Sequence, residues 1–261
     1  MKRIILFVMA SLSVLVAAAQ YLKIEYAGDA LPKKEQQLVE QMMVYQIKFY
    51  RLFRLKDSLK VKLTVFNERS VAEFYLDTIG LSKKIPVKNI GGLYSAKRKE
   101  AVIMEMDKNR KRGLSVIYHE LSHYLTREIT GINPPVWLME GLSEYFEHCE
   151  VSKKGIRHSM TAYEKGRIRS MYMLGEVNLR NFVDADWSLF MKKQRTDERY
   201  AYILAHALTT FMLENVSRQL LSDFITLLQD KTDRAKVSEK IARVYPGGFK
   251  AFETDFEKFC E

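Results

Sequence analysis

Among 261 residues the chain has five histidines, and two of them stand in His119-Glu120-Leu121-Ser122-His123. On a helix, positions i and i+4 share a face, so this spacing lets two imidazoles grip one ion. Glu120 then lies beside that ion, where a carboxylate can take a proton from water. Downstream, Asn133-Pro134-Pro135 turns the chain and Trp137-Leu-Met-Glu140-Gly-Leu-Ser-Glu144-Tyr145 opens a second helix. A helix, a turn and a returning helix bring Glu140 toward the same ion as a third ligand. Two histidines and a glutamate are one of the sets that hold catalytic zinc and leave a position for water. Glu144 is one turn further along the same face, placed to accept the second N–H of a ligating histidine and fix its tautomer.

The elements that position these residues are legible in periodicity. Leu114, Ile117, Tyr118, Leu121, Leu125 and Ile129 form the apolar stripe of the motif helix, which leaves Val116, His119, Glu120 and His123 on a neighbouring face. Upstream, residues 33–56 carry a helical stripe through Leu38, Met42, Tyr45, Phe49 and Leu52, with Pro32 just before the start. Residues 61–67 alternate as a half-buried strand, and 70–80 read as a helix ended by Gly80. Two extended runs in 90–106, separated by a charged turn, predict a hairpin. Helices are expected over 114–130, 136–150, 158–173, 200–215, 217–230 and 233–243, with breaks at Pro134-Pro135 and at 245–248. Strands first and helices afterwards predict an α+β fold in a single domain over 20–261, its core about 55–215 and a helical extension at 216–261.

The segments HELSH and PPVWLMEGLSEYF resemble the gluzincin metallopeptidases, and among them the small extracytoplasmic peptidase MA-like domains. Their pattern is HExxH followed by P-x-W-L-x-E-G-x-A-x-Y. The resemblance implies a zincin-like domain with a small N-terminal sheet, an active-site helix and a mainly helical remainder. It implies one zinc ion on His119, His123 and Glu140, with Glu120 as general base. Ser143 stands where Ala is usual, a mild departure. The metzincin pattern is excluded, because its third histidine would fall at Ile129. Arg199-Tyr-Ala-Tyr202-Ile-Leu-Ala-His206 resembles the helix that closes these domains. Tyr202 and His206 share a face, and a phenol or imidazole there would steady the oxyanion of a tetrahedral intermediate. Tyr200 points elsewhere and ranks behind them. His148, two turns past Glu140, is read as the edge of the cleft or plain surface, and His158 has no evident partner.

Composition bounds the rest. With 47% hydrophobic residues, 12 Gly and two Cys, the chain is neither disordered nor collagen-like nor a cysteine-stapled miniprotein. Lys2 and Arg3 precede a short uncharged apolar segment and Ala17-Ala18-Ala19, the plan of a secretory signal peptide spanning 1–19. The chain is then expected to be secreted or periplasmic, where Cys149 and Cys260 are free to pair. Net charge is +10, and the run Lys108-Asn-Arg-Lys-Arg112 is basic. Export argues against a nucleic-acid partner and leaves weak association with an anionic envelope surface. No phosphate loop, GxSxG elbow or dinucleotide fingerprint is present. The expected activity is hydrolysis of a peptide or protein substrate. The rival is a non-catalytic envelope binding protein on the same scaffold, which would have no need of Glu120.

Overall fold

Val61–Phe66 forms β2, whose residues other than Lys62 are all buried. Such a continuous apolar run suits a strand covered on both faces. β1 (Leu22–Ala27) pairs with it in parallel on one side and β4 (Glu100–Ile103) in parallel on the other. The charged turn after β3 (Gly92–Ser95) returns the chain antiparallel onto β4, giving the sheet order β1-β2-β4-β3. The computed structural model describes residues 21–51, 59–82, 90–130, 134–152, 155–196 and 199–261. The leader read at 1–19, the end of the first helical stripe from Leu52 on, and Asn133 lie outside them. The architecture is α+β, and it gathers into two compact units.

The first unit holds the four-stranded sheet, α1 (Lys33–Arg51), α2 (Arg69–Thr78), most of α3 (Arg110–Thr130) and most of a small sheet of β5 (Cys149–Ser152) and β6 (Gly155–His158). Phe66, Ala72, Leu76, Leu93, Val102 and Met104 form one cluster, which seats α2 on the sheet. α1 buries Val39, Met42, Met43, Ile47 and Tyr50. Two polar pins join α1 to α3. Gln46 Nε2 donates to the Tyr118 carbonyl at 2.8 Å, and the Tyr50 hydroxyl meets Ser122 Oγ at 2.9 Å.

The hairpin β5–β6 is a correction. Periodicity predicts helix through 150 and again from 158, yet α4 stops at Glu147 and the next helix starts at Ala162. Cys149 is buried and Glu150 exposed, a period of two, and Gly155 takes φ 122°, a conformation an L side chain resists.

The second unit is helical: α4 (Val136–Glu147), α5 (Ala162–Met173), α6 (Leu179–Val183), α7 (Trp187–Thr196), α8 (Tyr200–Glu214), α9 (Arg218–Gln229), α10 (Val237–Val244) and α11 (Gly248–Cys260). α4 and α8 cross at Gly141, where a β-carbon would overlap Thr209 Oγ1 and the Ala205 carbonyl. Trp137 stacks on Phe224 with centroids 6.2 Å apart, and Phe211 meets Phe252 and Phe256 of α11. Cys149 and Cys260 are both buried, and burial pushes the Cys260 thiol up to about 12. Among the described residues no helix is long and apolar enough to cross a membrane.

One buried carboxylate organises the sheet. Glu100 accepts from Thr64 Oγ1 at 2.7 Å, the Tyr75 hydroxyl at 2.7 Å and Arg98 Nε at 2.8 Å, with Lys62 Nζ at 3.2 Å. Burial pushes its pKa up, but these donors outweigh burial and hold it at about 2. A depressed carboxylate stabilises the fold above its unfolded value of 4.5 and loses that contribution as pH falls toward about 2. Glu100→Gln is expected to cost about 2–3 kcal/mol at neutral pH, the range for hydrogen bonds to a charged group. Denaturant melts at pH 7 and pH 3 check this, because the gap between variant and parent should narrow at the lower pH.

Candidate metal centre

α3 carries the first two candidate ligands. Ile117, Leu121 and Leu125 are fully buried on its inner stripe, which turns His119 and His123 to a half-buried face. Their rings stand edge to face with centroids 4.8 Å apart. Glu120, between them, is 5% exposed. The backbone of β3 presses on this helix. A β-carbon on Gly92 would lie 2.8 Å from Val116 Cγ1, 2.9 Å from the Val102 carbonyl and 3.1 Å from Glu120 Cγ. Only a glycine lets the strand approach so closely, and the approach confines the aliphatic stem of Glu120. The basic run at the start of α3 is partly paired, with Arg110 near Glu35 and Asp107, each at 3.3 Å, and Lys111 near Glu150 at 3.7 Å.

α4 carries the acidic candidates. Glu140 is buried at 4% exposure and Glu144 at 5%. Both lie on the helix that Gly141 draws against α8. Glu144 Oε2 accepts from Arg199 at 3.1 Å, a partner that sequence reasoning missed. Arg199 precedes α8 with φ 65°.

His119 and His123 belong to the first unit and Glu140 to the second. Within the second unit, among the described residues, Glu144, His148, Glu164 and His206 bring together the His and Glu donors that a metal ion takes. There His206, on α8, is fully buried, and its Nδ1 stands 3.0 Å from Glu164 Oε1 while its Nε2 stands 2.9 Å from His158 Nε2. His148 Nε2 is 3.4 Å from Glu164 Oε1, and its Nδ1 is 2.8 Å from the Glu144 carbonyl. Glu164 Oε2 accepts from the Thr161 backbone N–H and hydroxyl, the capping box of α5. Burial depresses both His206 and His158, the latter to about 3. Burial pushes Glu164 the other way, but the hydrogen bond with His206 and the nearby imidazoles hold it at about 2.

This placement bears on the residues expected to meet an oxyanion. Both ring nitrogens of His206 face Glu164 and His158. Tyr202 is half-buried with its ring edge-on to Phe190 at 5.4 Å, and the Tyr200 hydroxyl donates to the Glu176 carbonyl at 3.1 Å. His158, expected to lack partners, stacks on Tyr145 at 3.8 Å and meets Glu214 at 3.1 Å. Two signals for the cluster were present in sequence: the T-x-x-E capping box at Thr161–Glu164, and His148 at i+4 from Glu144.

The family described as "Protein of unknown function (DUF1570)" matches residues 114–236, a span that holds the HExxH motif, α4 and the His/Glu cluster. No curated protein matches the chain.

The contact between β3 and α3 yields a direct test. Gly92→Ala must move the strand, Val116 or Glu120. It is expected to cost about 1–3 kcal/mol, as overpacking does, and to alter any activity that depends on Glu120. Circular-dichroism melts alongside a hydrolysis assay measure both.

Proposed function

We propose that this chain is an exported zinc-dependent peptidase, with His119, His123 and Glu140 as ligands and Glu120 as general base. The observation that carries the reading is the HExxH helix itself. Its two imidazoles share a half-buried face at 4.8 Å, while Glu120 between them is almost fully buried and confined by Gly92. The donor set fits a borderline divalent cation, since two imidazoles and a buried carboxylate are a set found around catalytic zinc. Bound zinc supplies Lewis acidity toward water and the peptide carbonyl.

The rest is work for the chain's own groups. Glu120 accepts the proton of the attacking water and returns it to the leaving amine, which needs a carboxylate held in one place through both transfers. Confinement of its stem between Val116 and the Gly92 backbone serves that need. Glu144, with Arg199 against its carboxylate, serves to orient a ligating histidine by accepting its second N–H. The Tyr202 hydroxyl donates to the developing oxyanion. His206 is set aside for this role because its nitrogens already have partners. The net positive chain is compatible with weak association at an anionic envelope surface.

Three variants separate the roles. Glu120→Gln is expected to keep zinc and lose about 10²–10⁴-fold in kcat, whereas His123→Ala and Glu140→Gln are expected to weaken zinc binding itself. Metal analysis and hydrolysis of an unfolded protein substrate, each with and without chelator, read both properties. Full activity in Glu120→Gln would favour a non-catalytic binding protein instead. For the hydroxyl, Tyr202→Phe should lower kcat with KM and zinc content nearly unchanged, since a contact made only in the transition state is lost. A variant with unchanged kcat would remove Tyr202 from the site.

A further inference from the structure

The cluster in the second unit contains a conflict of hydrogen-bond donors that neutral imidazoles beside ionised carboxylates cannot resolve. A carbonyl only accepts, so the 2.8 Å contact between His148 Nδ1 and the Glu144 carbonyl requires the hydrogen on Nδ1. His148 Nε2 is then a lone pair, and it faces Glu164 Oε1, also a lone pair, at 3.4 Å. A second conflict runs through the other two histidines. If His206 Nδ1–H donates to Glu164, its Nε2 is an acceptor and His158 Nε2–H must donate to it across 2.9 Å. His158 Nδ1 is then a lone pair against the Glu214 carboxylate at 3.1 Å. With both carboxylates ionised, protons alone satisfy every contact only if two of the three imidazoles are cationic, in a cluster that buries His206 completely.

One divalent cation removes both conflicts. We propose that His148 Nε2, His206 Nδ1 and Glu164 Oε1 hold a zinc-class cation within the second unit, separate from the HExxH site. With His206 Nδ1 as ligand, its hydrogen moves to Nε2 and donates to His158 Nε2. His158 Nδ1–H then donates to Glu214, and every neutral tautomer has the partner it needs. The orienting bonds of a metal site are already built. The Glu144 carbonyl fixes His148, the His158–Glu214 pair fixes His206, and Thr161 holds the far oxygen of Glu164. Two imidazoles and a carboxylate select zinc over magnesium or calcium, which prefer oxygen alone. The ligands follow α4, open α5 and sit mid-α8, so the ion ties three helices together and its role is structural.

The site does not rest on the peptidase reading, and the two fail separately. His119, His123, His148, His158 and His206 are all the histidines of the chain. A His119→Ala/His123→Ala chain therefore keeps imidazole ligands only in this cluster. Stripped of metal and titrated with zinc alone, that chain is expected to take up one equivalent and to melt at a higher temperature with it. Adding His148→Ala, a residue with a 16% exposed side chain, or Glu164→Gln should abolish both effects. In the parent chain His148→Ala should lower zinc content by one equivalent, a comparison that stands even if the double variant folds poorly. A folded double variant that takes no zinc, or zinc uptake untouched by His148→Ala and Glu164→Gln, overturns the proposal. Parent zinc lost only through His123→Ala defeats this site and leaves the peptidase reading intact. Zinc lost only through His148→Ala does the reverse.

Discussion

The rotation of α3 about its own axis is the constraint on which the HExxH chemistry depends. A turn of one residue, about 100°, would drive His119 into the core, since Tyr118 and Glu120 on either side of it are buried. Two kinds of force fix the angle. Ile117, Leu121 and Leu125 are fully buried and define the inward stripe, but burial is non-directional and tolerates small rotations. The pins from Gln46 to the Tyr118 carbonyl and from Tyr50 to Ser122 are directional and lie on the same helix turns as His119, Glu120 and His123. A polar contact from α1 thus sets where the histidines point. The Gly92 backbone then limits Glu120 from the other side.

In the second unit the corresponding constraint is steric. Gly141 gives α4 no side chain where it crosses α8, so the two backbones come close enough to exclude any β-carbon. That closeness draws His148, just past the end of α4, against His206 in the middle of α8, with ring centroids 4.5 Å apart. Buried polar groups at such short range are costly unless each one is matched. The cluster's hydrogen bonds are therefore read as a requirement on what occupies it.

Periodicity made the strongest elements legible. The stripe of α1, the alternation of β2, the β3–β4 hairpin and the span of α3 lie close to their expected ranges, because each buries one face of regular spacing. β1 (Leu22–Ala27) went unread: an edge strand with Lys23 and Glu25 on it gives little apolar alternation. The β5–β6 hairpin was hidden by an apparent helix continuing past Glu147, and its signal was one glycine at positive φ. α11 was missed because Tyr-Pro-Gly-Gly reads as an ending, although Gly248 opens a new helix there. At the candidate site the donor types and spacing of HExxH are legible in the sequence, while the contact of Arg199 with Glu144 and the pairing of His206 with Glu164 and His158 are not. Those pairings join residues more than 40 positions apart, and no local pattern records such distances.

Two of the buried carboxylates, Glu100 and Glu164, show why one set of neighbours closes a site and another leaves it open to metal. Glu100 and Glu164 are both held at about 2 against burial. Around Glu100 the partners are Arg98, Lys62, Tyr75 and Thr64, groups that carry their hydrogens at any ordinary pH. Each lone pair of the carboxylate meets a permanent donor, and a cation would find positive charge where it needs ligands. Around the inner oxygen of Glu164 stand His148 and His206, whose nitrogens exchange between donor and lone pair. The same depth of burial that makes Glu100 a fixed knot in the sheet makes Glu164 a ligand. The difference lies in the acidity of its neighbours and not in the carboxylate.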